Sequence, residues 1–129
     1  MQAPFHWNEK HLISFLYISL AVSDFIVSPN ERITLNSNLD ELLKGRFQLS
    51  DSEKNAIISE VQAFPIADDA ARMAIIKELS ERIELDWETY KFVANELDEI
   101  AHSDKYVSIE EHSFMFYIRL KFKKDYPVR

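Results

Sequence analysis

A single glycine, Gly45, stands among 129 residues, with four prolines, Pro4, Pro29, Pro65 and Pro127. Sheets of this size need tight turns with positive backbone angles, and such turns draw on glycine. No segment alternates apolar and polar residues long enough to make a half-buried strand. The chain is therefore expected to be all-α: a compact bundle of six to seven helices in one domain spanning 1–129.

Local punctuation marks the helices. The first runs from about Trp7 to Ser23 and is apolar on most faces, as a buried helix would be. Its most apolar part, Leu12–Val22, has eleven residues, whereas a membrane span needs about twenty. The second opens at Ser28-Pro29-Asn30-Glu31, with serine as cap and proline in the first turn. It is expected to end near Lys44, with Gly45 as a left-handed C-cap; its polar Asn36–Asn38 stretch is a candidate break.

The third helix starts with the capping box Ser50-Asp51-Ser52-Glu53, and Pro65 stops it. Its expected apolar stripe is Ala56, Ile57, Ile58, Val61 and Phe64. The fourth covers about 67–83, with Ala71, Ala74, Ile75, Leu79 and Ile83 facing inward. The fifth begins near Asp86 and carries Phe92, Val93, Leu97 and Ile100. The sixth begins at Ser108-Ile109-Glu110-Glu111; its aromatic run Phe114, Phe116, Tyr117, Phe122 and Tyr126 reads as core.

Part of the chain occurs twice. Ala21-Val-Ser-Asp-Phe-Ile-Val-Ser-Pro-Asn-Glu31 aligns without a gap on Ala101-His-Ser-Asp-Lys-Tyr-Val-Ser-Ile-Glu-Glu111, and six of the eleven positions are identical. At the same offset of 80, Trp7 faces Trp87, Ile13 faces Val93 and Leu20 faces Ile100. The helix-loop-helix hairpin at 7–35 thus returns at 87–115. In full the repeat units are 7–45 and 86–125, joined by connecting helices over 50–84, which predicts a pseudo-two-fold bundle. The two tryptophans are expected to pack in equivalent ways.

Most of the repeated turn has a capping explanation. Val27 and Val107 precede the N-cap serines as hydrophobic staples, and Glu31 and Glu111 close the capping boxes. Asp24 and Asp104 are different. They stand near the C-terminal end of the incoming helix, where the dipole disfavours a negative charge by about 0.3–1 kcal/mol. Two compensations are open. One is the free amides of the next helix. The other is a cation held between each aspartate and the glutamate seven residues on, and paired carboxylates favour a hard, calcium-like divalent ion. The candidate metal ligands are thus Asp24, Glu31, Asp104 and Glu111, with His102 and His112 as accessory nitrogen donors for a transition metal.

These residues resemble the tellurite-resistance TerB family and its TerB-like relatives. That family carries a helix ending in Ala-x-x-Asp, a short turn, and a glutamate seven residues after the aspartate, twice in a compact helical bundle. The matching positions are Ala21, Asp24, Glu31 and Ala101, Asp104, Glu111, and the likeness covers nearly the whole chain. It implies a stress-associated or tellurite-resistance-associated domain, and a divalent-metal role for these acids. The family usually has glycine directly after the aspartate; here Phe25 and Lys105 stand there, and a bulky residue at positive φ is costly.

Other chemistry finds little support. With no cysteine, thiolate sites and disulfides are excluded, and a cytoplasmic, reducing setting is expected. The net charge of −7 argues against nucleic acid as a partner. From Lys105 onward six basic residues meet three acidic ones, a local +3, so the remainder carries −10. That asymmetry supports the alternative, a non-catalytic scaffold or adaptor that docks a protein partner while the acids only cap helices. No phosphate loop or nucleophile motif occurs, and Glu96, Asp98 and Glu99 lie close in sequence without a visible cleft, so an enzyme is not expected.

Overall fold

A computed structural model of the protein describes residues 2–21, 29–102 and 109–122, with backbone only for 109–112 and 120–122. These residues form six α-helices: α1 (Glu9–Ala21), α2 (Pro29–Asp40), α3 (Asp51–Ala63), α4 (Asp69–Arg82), α5 (Trp87–Ala101) and α6 (Ile109–Phe122). No strand occurs among them, so the chain is all-α as expected.

α1 is the axis of the bundle and touches every other α-helix. Its sequence explains the placement: from His11 to Ala21 every residue but Ile18 is buried. A helix apolar on all sides has no face to give to water, so its neighbours must surround it. Ile75, Ile76 and Leu79 from α4, Val93, Leu97 and Ile100 from α5, and Phe114 and Ile118 from α6 complete this core. α3 lies at the edge. Of its expected stripe only Val61 is fully buried; Ile57, Ile58 and Phe64 are half-buried and Ala56 is exposed. Ala74 of α4 is likewise exposed.

The helix starts follow the capping chemistry. Asn8 caps α1, its side-chain oxygen accepting from Lys10 N at 2.9 Å. Ser50 and Glu53 form the reciprocal box at α3, with bonds of 3.2 and 3.0 Å. Asp68 accepts from Ala71 N at 2.8 Å and Asp86 from Thr89 N at 2.7 Å. The expected caps at Ser28 and Ser108 lie outside the described residues.

The end of α2 departs from expectation. The helix does not break at Asn36–Asn38; Asn38 is buried and donates to the Glu96 carbonyl at 3.1 Å. Nor does it end on Gly45. It widens into a π-helical turn over Glu41–Arg46, in which Phe47 N reaches back five residues to Leu42 O at 3.0 Å. Gly45 lies inside that turn with negative φ, and the left-handed position falls instead on Gln48, φ 56°. Leu42 and Leu43 within this turn are both fully buried. Lys44–Asp51 (2.6 Å) and Lys54–Asp40 (2.5 Å) then tie the turn to α3.

Two aromatic expectations also change. Phe116 is 63% exposed rather than core, while Phe114 is buried. Trp7 is buried ahead of α1, whereas Trp87 is half-buried as the first residue of α5 and stacks on Tyr90. The two tryptophans therefore do not pack alike.

Candidate metal sites

Of the four acids singled out in the repeat, Glu31 is the one whose side chain is described. It is the third residue of α2 and is buried, 4% exposed. Asp24 and Asp104 lie outside the described residues, as do the side chains of Glu111 and His112. His102 is exposed at the end of α5; its Nδ1 lies 2.8 Å from the Asp98 carbonyl and 3.8 Å from the Asp98 carboxylate. With Asp98, Ser113, Met115, Phe116 and Arg119 it lines an open groove of about 570 Å³ between α5 and α6.

A second acid is buried outside the repeated turns. Glu96 is 2% exposed on the inner face of α5. Its Oε1 accepts a 2.6 Å hydrogen bond from the Tyr17 phenol of α1, and its Oε2 has no hydrogen-bond partner among the described residues. Burial, and next the Glu41 carboxyl close by, push its pKa up to about 8, against the opposing pull of Tyr17. Burial also drives the Tyr17 phenol far above its ordinary range. Near neutral pH Glu96 is thus mostly a neutral acid, so leaving its second oxygen dry costs less than for a carboxylate. The signal was present in the spacing: Val93, Glu96, Leu97 and Ile100 share one helical stripe.

Among the described residues one group of histidines and acids converges as metal ligands do: His6, His11 and Glu60, whose donor atoms lie within 4.8 Å of one another. His6 sits in the turn before α1, His11 in the first turn of α1 and Glu60 near the end of α3. His6 Nε2 contacts Glu60 Oε2, and His11 Nε2 lies 3.5 Å from Glu60 Oε1. Trp7 donates from Nε1 to Glu60 Oε2 at 3.1 Å, and its indole stacks on His11 at 5.7 Å. Burial holds the His11 pKa below its ordinary value, although Glu60 pulls the other way. For Glu60, partial burial works to raise the pKa, but the bonds from His6 and Trp7 outweigh it and keep the carboxyl below its usual range. Sequence reading missed this group because 54 residues separate His6 from Glu60; only the two-histidine spacing is local.

No protein-family model, curated protein or solved structure matches this chain.

Proposed function

We propose that this chain is a TerB-like, stress-associated binding domain that holds a hard divalent cation between the repeated acids, Asp24 with Glu31 and Asp104 with Glu111. It is non-catalytic on this reading. The observation that carries it is the burial of Glu31. A buried carboxylate is stabilised by positive charge and donors around it, and the start of α2 is an electropositive place. On this reading a cation shared with Asp24 adds to that charge.

The test is calorimetry of chelator-treated protein with calcium, manganese and zinc. Calcium should give heat and raise Tm, and the double variant Asp24→Asn, Asp104→Asn should lose both effects while remaining helical. If the wild type gives neither heat nor thermal stabilisation at millimolar calcium, the cation reading fails.

One observation favours a second reading, a scaffold that docks a protein partner. The groove between α5 and α6 carries Phe116, 63% exposed, beside buried Met115, with Asp98 and Arg119 at its rim. Large apolar side chains exposed in a groove are a usual mark of a docking surface. Phe116→Ser should then abolish partner capture without lowering Tm.

A further inference from the structure

We propose that His6, His11 and Glu60 form a binding site for a divalent transition ion of the zinc class, built where the segment preceding α1 meets the end of α3. The site is independent of the acidic hairpins. Two imidazole nitrogens and one carboxylate oxygen form a donor set that suits zinc and its neighbours far better than calcium, which takes six or more oxygens. Zinc holds such ligands at about 2.0–2.2 Å, which sets neighbouring donors roughly 3.4 Å apart in a tetrahedron. The three donors already lie within 4.8 Å of one another. The remaining adjustment falls on His6, whose side chain is exposed.

The site is built rather than casual. The segment carrying His6 is pinned on both sides. Ala3 N donates to both oxygens of Glu78 at 3.0 and 3.2 Å, Arg82 donates to the Pro4 carbonyl at 2.9 Å, and Trp7 is buried. Trp7 also fixes the carboxylate through its indole nitrogen. Outer partners of this kind orient metal ligands and set their basicity.

Asn8 does the same for His11. Its backbone N–H lies 3.2 Å from His11 Nδ1, and its side-chain oxygen lies 3.3 Å from the same atom. Asn8 therefore offers Nδ1 a donor and an acceptor at once. Without metal, Nδ1 accepts from the backbone and Nε2–H faces Glu60. With metal, Nδ1–H donates to the Asn8 oxygen and the Nε2 lone pair faces the ion. Asn8 thus offers a partner to each tautomer, and its backbone N–H gives up its acceptor when Nδ1 carries the proton. Metal ligation requires neutral imidazole and ionised carboxylate, so protonation opposes binding.

The experiment is zinc titration of the chelator-treated full chain by calorimetry, with histidine side-chain ¹⁵N shifts followed by NMR. One ion should bind per chain and shift the ring nitrogens of His6 and His11. His6→Ala and Glu60→Gln, both at accessible positions, should each weaken binding about tenfold or more. Asp24→Asn with Asp104→Asn should leave zinc affinity unchanged, which separates this site from the hairpins. The proposal is overturned if zinc fails to bind at millimolar concentration. It is equally overturned if affinity survives both substitutions, or if the shifts appear at His102 and His112 instead. Should a variant unfold, the wild-type shifts alone decide.

Discussion

The phenol of Tyr17 and the carboxyl of Glu96, 79 residues apart in sequence, meet at 2.6 Å in the interior between α1 and α5. Tyr17 has no exposed surface and Glu96 almost none. The bond therefore joins the central helix to its neighbour through polar atoms that water does not reach. Asn38 of α2 adds a third helix by donating to the Glu96 carbonyl.

Removing the phenol should be costly. Tyr17→Phe keeps the ring but leaves the Glu96 acid with neither oxygen bonded to Tyr17. A buried group stripped of its partner costs about 1–3 kcal/mol. Urea unfolding at pH 7 should show a lowered midpoint with an unchanged slope. A loss below about 0.5 kcal/mol would show that the bond contributes little net stability.

Glu96 should also give the fold a pH dependence of a definite sign. Its pKa is raised from 4.5 in the unfolded chain to about 8 in the fold, so between those values the folded state binds more protons. The stabilising contribution is complete below about pH 4.5 and is lost as pH rises through about 8. Glu96→Gln stays neutral and still accepts from Tyr17. It should flatten this decline and exceed the wild type by roughly 1–3 kcal/mol at pH 9. His11, with its lowered pKa, acts with the opposite sign below about pH 6.5. Parallel wild-type and Gln stability curves from pH 6 to 9 would refute the role given to Glu96.

Gly45 and Gln48 each occupy the conformation suited to the other. An added Cβ at Gly45 meets nothing within 4 Å, and its φ is not left-handed. Gly45→Ala should thus stabilise by about 0.5–1 kcal/mol through the unfolded chain. Gln48→Gly, which relieves a left-handed non-glycine residue, should not destabilise. Thermal melts of the two single variants check both signs; a left-handed C-cap at Gly45 would have made the first strongly destabilising.

What the sequence made legible was local. The capping residues at Ser50 and Asp86 act within three residues of themselves, so they mark helix starts without knowledge of the fold. The same locality misled at Gly45, because α2 continues past it in a π turn whose Leu42 and Leu43 are buried in a core made by distant helices. Glu96 stands beside Asp98 and Glu99 in sequence, and only its place in the stripe with Val93 and Ile100 hinted at burial. The group at His6, His11 and Glu60 depends on how α3 returns to the start of α1, a tertiary event with no local signature. The hairpin acids were legible as a repeat, and their chemistry remains the proposal made above.

The π turn over Glu41–Arg46 marks where this chain can change length. Deleting a residue from a packed α-helix such as α5 turns everything beyond it by about 100° and swaps buried for exposed faces. A turn already one residue longer than an α-helix requires can lose that residue and close into ordinary helical bonding. The connector between the first hairpin and α3 is thus the seam at which insertions and deletions are absorbed, leaving the helices on either side in phase with their neighbours.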